Sequence, residues 1–283
     1  MRRALLALVI AACARRAGPP VAPASPGATL TFKVDGRVVR TLSLEALARV
    51  APPRTITGWD PYYQRVKRFS ALPLEAVLAA GLGPAEGYRG RSFVLRARDG
   101  YTVPLEGARL LEGGAHLAVR DLDAPAWAPI GPQQANPGPA YLVWSGATQV
   151  DLTTHPRPWQ LASIEVARFD DVFPHTVPAG EPRGAAAWTG FAVFARECVR
   201  CHAVNREGGR VGPDLNVPQS VVEYRPEAQL RAYIRDPRTF RYGNMPAHPH
   251  LRDAELDGLL AYFHAMRARK HDPDAHAPAG HAP

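Results

Sequence analysis

Cysteine is scarce in this sequence: of 283 residues, only Cys13, Cys198 and Cys201 carry a thiol. A framework of structural disulfides is excluded, because the last two share the run Cys198-Val199-Arg200-Cys201-His202 and Cys13 is left without a partner. Long apolar runs are missing too, and residues 4–12 fall well short of the ~20 residues that a membrane-spanning helix needs. After Met1, methionine occurs only at 245 and 266. Acid is short as well, with a formal charge of +8. That excess is not one patch, since residues 1–16 hold four arginines and no acid, 17–182 are nearly balanced, and 183–283 hold 14 basic and 11 acidic residues. Arg225, Arg231, Arg235, Arg238 and Arg241 read as lacking the interleaved aromatics on which bases stack, so no nucleic-acid partner is expected. These arginines are read as a solvated surface or a face for an acidic protein partner.

The composition itself, 46% hydrophobic and 21% charged, is globular, and the length allows two domains. Proline and glycine concentrate at 18–27, 131–139, 174–183 and 273–283, which read as linkers and loops. Arg2 and Arg3 ahead of the apolar residues 4–12 have the pattern of a signal peptide, so export is expected. Ile10-Ala11-Ala12-Cys13 resembles the bacterial lipoprotein box. That resemblance implies cleavage after residue 12, lipid on Cys13, and a tether on the periplasmic side of a bacterial membrane; Ala14 gives no signal for retention at the inner membrane. The expected organisation is leader 1–12, lipidated Cys13 and linker to 28, a first domain at 29–182, a second at 183–270, and a disordered tail at 271–283.

A Cys-X-X-Cys pair serves as a redox dithiol, as half of a zinc site, or as the two thioether anchors of a haem. An adjoining histidine, an export signal and no second cysteine pair favour the haem, with Cys198 and Cys201 bonded to its vinyl groups and His202 to its iron. Residues 184–270 also resemble the class I cytochromes c at several separated places. Gly190 and Phe194 lie on a helix ending at Cys198. Residues 253–270 read as a last helix, with Leu256, Leu259, Leu260, Phe263 and Met266 on one face, acids at its start and bases at its end. The resemblance implies an all-α domain with one covalent haem c. It also implies that the Pro213 carbonyl in Gly212-Pro213-Asp214-Leu215 fixes the His202 ring, and that residues 230–237 lead into the distal loop. Of the two thioethers, Met266 belongs to the apolar stripe. Met245, in Gly243-Asn244-Met245-Pro246, stands at the family's position for the second iron ligand. His248 and His250 are its rivals, read as surface-loop residues.

The first domain has a different rhythm. Strands at 29–34 and 37–42 flank a turn at Asp35-Gly36. Ser43 caps a helix at 44–50, and Pro73 opens one at 74–80, ended by Gly81. Strand-like runs follow at 92–98, 101–105, 116–122, 140–144 and 161–169. An α+β, mainly β, domain is expected. Its signposts, Leu72-Pro73-Leu74, Arg98-Asp99-Gly100-Tyr101, Gly138-Pro139-Ala140-Tyr141 and Trp159, resemble the molybdopterin-binding fold of sulfite oxidase-like enzymes. Members of that family hold molybdenum through a cysteine thiolate, and residues 14–197 contain none. The domain is therefore expected to lack molybdopterin and to act as a scaffold or docking module. His155 and Arg157 are the candidates for a pterin phosphate contact, the alternative being a loop that packs Trp159. Arg65, Lys67 and Arg68 read as an exposed edge. No catalytic residue is assigned. The expected function is transfer of single electrons between periplasmic or membrane redox proteins. The alternative is a molybdopterin- or other cofactor-dependent oxidoreductase with an internal cytochrome acceptor.

Overall fold

The computed structural model describes residues 27–241 and 243–275. Cys13 and the leader, together with His276 and His281 of the tail, lie outside the described residues. Strands β1 (Thr29–Val34) and β2 (Arg37–Ser43) pair antiparallel about Asp35-Gly36. Ser43 then caps α1 (Leu44–Val50), its hydroxyl accepting the Ala46 N–H at 3.1 Å. A second hairpin follows, β3 (Arg54–Asp60) and β4 (Arg65–Pro73), leading into α2 (Leu74–Leu82). This helix runs through Gly81, whose missing side chain admits the Phe32 ring. The remaining elements of the domain are β5 (Ser92–Ala97), β6 (Thr102–Glu106), α3 (Gly107–Leu110), β7 (Ala115–Asp121), β8 (Tyr141–Trp144), β9 (Leu161–Val166) and α4 (Phe169–Val172).

Two sheets result, one in the order β2-β1-β9-β5-β6 and one in the order β3-β4-β7-β8. Only β1 and β9 run parallel, so the first and last strands of the domain lie side by side. In the main apolar core, Leu44 and Leu47 of α1 and Val77 and Leu78 of α2 join Leu30 and Phe32 of β1. A smaller aromatic core of Phe69 and Tyr141, with Tyr62, Tyr63, Trp127 and Trp159 packed against it, covers the four-stranded sheet. The domain is mostly β-sheet, as expected.

Lys67 corrects the sequence reading. It is fully buried on the interior strand β4, its ammonium 2.6 Å from Asp121 and 4.6 Å from the centre of the Tyr63 ring. Burial of a cation requires such a partner, and Asp121 lies on a strand 54 residues away. Arg65 and Arg68 are exposed, as read.

The second domain begins with α5 (Ala186–Val193), which widens into a π-turn at Phe194–Cys198. A short hairpin follows, β10 (Ala203–Val204) with β11 (Glu207–Gly208), and then α6 (Val221–Tyr224), α7 (Glu227–Arg235) and α8 (Asp253–Arg267). Helices α5 and α8 cross at Gly190 and Gly258, so close that a Cβ on Gly190 would lie 2.0 Å from the Gly258 carbonyl oxygen. Around the crossing, Phe194 stacks on Tyr262 at 5.4 Å, and Leu256, Leu259, Phe263 and Met266 are buried. Arg225 and Arg241 are not without aromatic company: both lie over the Tyr233 ring, at 6.0 and 5.7 Å. Among the described residues, no helix is long and apolar enough to cross a membrane.

Candidate functional site

The Cys-X-X-Cys-His run sits where α5 ends. In the π-turn, Val199 N–H bonds the Phe194 carbonyl at 2.9 Å, and the next turn brings Cys201 and His202 N–H onto the Cys198 carbonyl at 3.1 and 2.9 Å. The chain then folds back, tied by Gly209 N–H to the Val199 carbonyl at 2.8 Å and by Gly212 N–H to the Cys201 carbonyl at 2.7 Å. Gly212 lies under the imidazole, where a Cβ would come 2.5 Å from Cε1 of His202. His202 Nδ1–H donates to the Pro213 carbonyl at 2.8 Å. That bond selects the tautomer whose Nε2 carries the free lone pair a metal ligand requires. Burial lowers the His202 pKa, opposed by the Pro213 bond and by Asp214, and keeps the ring neutral.

Both thiols are free and half-buried. Burial raises the Cys198 pKa to about 12 and that of Cys201 to about 11. A redox dithiol depends on a depressed thiol pKa, so these cysteines lack the electrostatics of that alternative. The zinc alternative fares no better. Among the described residues, the only place where three His, Cys, Asp or Glu ligand atoms converge is Glu197, His248 and His250, without either thiol.

Met245 lies in the loop between α7 and α8, half-buried against the core of the helical domain. Met266 is fully buried on α8, as the stripe predicts. The rival histidines separate: the His250 side chain is 54% exposed, whereas that of His248 is 11% exposed and so is not the surface residue it was read to be. The His248 backbone is drawn inward by its N–H bond to the Ile234 carbonyl, 3.1 Å long.

Residues 185–263 match the family described as cytochrome C oxidase, cbb3-type, subunit III. They form a c-type cytochrome domain. The chain is also 34% identical over 95 residues to cytochrome c oxidase subunit 2 of Alkalihalophilus pseudofirmus, an alignment that takes in 31% of this chain and 28% of that protein. The chain thus spans little more than a quarter of the relative's length.

A cytochrome c domain implies haem c, and the residues present fit it. Two unpaired thiols and an imidazole with Nδ1 engaged and Nε2 free meet over a glycine that leaves room beneath the ring. Arg200, between the two cysteines, plays a part that the sequence did not reveal. Its guanidinium donates to the Leu152 and Thr153 carbonyls of the front domain at 2.7 and 2.6 Å, and its carbonyl accepts the Thr102 N–H at 2.9 Å. Arg210 N–H bonds the Gly100 carbonyl at 3.1 Å, and Tyr262 OH bonds the Thr176 carbonyl at 2.7 Å. Tyr62 and Tyr101 press against this segment, and burial raises both of their phenol pKa values. The cytochrome domain is therefore docked on the front domain through the loop that carries its two cysteines.

The front domain's own candidates are occupied. Arg157 is 2% exposed, with its guanidinium on the Trp144 and Gln149 carbonyls and 3.4 Å from Asp60. His155 packs edge-on against Trp144 rather than against Trp159, and its Nε2 meets Glu112 at 2.7 Å. Trp159 packs at a tilt against Tyr62 instead, with ring centres 4.9 Å apart.

Proposed function

We propose that the chain is an exported, lipid-tethered electron carrier acting on the periplasmic side of a bacterial membrane. One haem c, bonded to Cys198 and Cys201, has its iron held by His202 and Met245. The group supplies a one-electron couple. The chain supplies the two thiols, orients the His202 ring through Pro213 and covers the attachment loop with its front domain. The observation that carries this reading is the free thiol pair beside an imidazole locked by the Pro213 carbonyl. Similarity to parts of two cytochrome oxidase subunits supports partners among respiratory redox proteins.

The second reading, an oxidoreductase whose front domain binds molybdopterin or another cofactor and feeds the haem, draws on the docking of that domain against the cysteine loop. It lacks a thiolate for molybdenum, and both side chains suited to a pterin phosphate, His155 and Arg157, are already engaged by protein groups. Protein purified from its own host is expected to contain about one iron per chain, no stoichiometric molybdenum and no pterin fluorescence after denaturation. Stoichiometric molybdenum overturns the carrier reading in favour of the enzyme.

The tether rests on Cys13 alone, because one residue carries all the acyl chains. Cys13→Ser is expected to move the protein from the membrane fraction to a soluble or unprocessed form with haem loading unchanged. Wild-type protein found wholly in the soluble periplasmic fraction refutes the tether.

A further inference from the structure

Two segments of the cytochrome domain meet at a cluster that the haem site does not use. Glu197 lies within the π-turn, one residue before Cys198, and His248 and His250 flank Pro249 in the loop that carries Met245. One ligand atom from each of the three lies within 4.8 Å of the other two. The Glu197 carboxylate sits between the rings, Oε1 3.4 Å from His250 Nε2 and Oε2 3.8 Å from His248 Nδ1. Tetrahedral bonds of ~2.0–2.1 Å place neighbouring ligand atoms about 3.4 Å apart. The His250 contact already has that spacing, and the His248 contact is only slightly longer.

Hydrogen bonding alone does not account for the arrangement. The His248 side chain is 11% exposed, its ring makes no hydrogen bond to any described residue, and 3.8 Å to the carboxylate is beyond hydrogen-bond reach. The side chain is not sealed in the core, so its ring nitrogens are open to a ligand, and a cation between the ring and the carboxylate would join the two. The exposed ring of His250 leaves an entry path and an open coordination position. Arg196 competes, with Nε 2.7 Å from Glu197 Oε1, but it also holds Glu255 at 3.0 Å and keeps that partner if displaced.

We propose that Glu197, His248 and His250 form a binding site for one divalent cation of the zinc class, bridging the cysteine loop and the Met245 loop. Two imidazoles and one carboxylate suit zinc or copper(II), whereas calcium and magnesium need a shell of oxygens. The site rests on the reading above only in requiring His248 to be off the iron. A bound cation beside Cys198 would be among the largest local charges and would favour the reduced haem.

The test is calorimetric titration of zinc(II) into the full-length, haem-loaded protein carrying His271→Ala, His276→Ala and His281→Ala, so that tail imidazoles do not contribute. One zinc per chain is expected, weakened at least about tenfold by Glu197→Gln or His250→Ala, since even outer-shell losses cost that much. Arg196→Gln, which removes the competing cation, is expected to tighten binding. The haem reduction potential should rise on zinc addition in the parent and stay fixed in Glu197→Gln. Absence of stoichiometric binding, or binding unaffected by Glu197→Gln, overturns the site. A haem spectrum unaltered by Met245→Ala would instead place the fault with the iron-ligand reading.

Discussion

Met245→Ala is expected to abolish the weak sulfur-to-iron charge-transfer band of the oxidised protein and to lower its reduction potential, whereas Met266→Ala is expected to leave both in place. The two methionines differ in surroundings rather than in chemistry. Met266 is 1% exposed on the face of α8 that packs against α5, where truncation costs ~2–5 kcal/mol of stability without touching the iron. Met245 is held only partly against the core, in a loop stiffened by Pro246. A thioether favours Fe(II) more than an imidazole or water in its place, so its loss lowers the potential. Absorbance and potentiometric titration of the two variants decide the matter. A Met245→Ala protein that keeps the band refutes the assignment, and in that case buried His248, three residues on, becomes the first candidate.

Gly190→Ala is expected to unfold the cytochrome domain at markedly lower urea than the parent. Helix propensity alone favours alanine over glycine by about 1 kcal/mol. Against it, the added Cβ would lie 2.0 Å from the Gly258 oxygen, 2.4 Å from its carbon and 2.7 Å from the Tyr262 Cβ. Backbone cannot rotate out of the way, so α5 and α8 must separate, and overpacking of this kind costs ~1–3 kcal/mol or more. A net loss is expected, measured as the urea midpoint followed at the haem absorption. Gly258→Ala, whose Cβ meets the Gly190 nitrogen at 2.9 Å and the Ala186 oxygen at 3.2 Å, is expected to cost less. An unchanged midpoint for Gly190→Ala would show that the helices do not need this close approach.

What the sequence made legible was local. The hairpin at Asp35-Gly36, the Ser43 cap and the apolar face of α8 each depend on residues within a few positions of one another, and the structure has them where the patterns point. The β3–β4 hairpin is not legible because Arg65, Lys67 and Arg68 crowd the start of β4 and look like an exposed edge. What buries Lys67 is Asp121, a residue that no local window contains. His248 was misjudged for the same reason: its run of prolines and histidines looks like surface, and the carboxylate it faces is Glu197, far earlier in the chain. Within the site, Cys198, Cys201 and His202 could be recognised because their chemistry is written in five consecutive residues. The reach of Arg200 into the front domain could not, since its acceptors are main-chain carbonyls that carry no sequence signature.

The position of β9 has a consequence for any shortened form of the chain. It is the last strand of the front domain to be synthesised, yet it lies in the middle of its sheet, between β1 and β5. A fragment ending before Leu161 therefore retains the hairpins β1–β2 and β5–β6 but nothing to join them. Each would present an unpaired strand edge, the template on which foreign strands add and aggregates grow. During synthesis the same two edges wait, open, until the nascent chain has passed residue 166. The five-stranded sheet is thus completed only by the last strand of the domain.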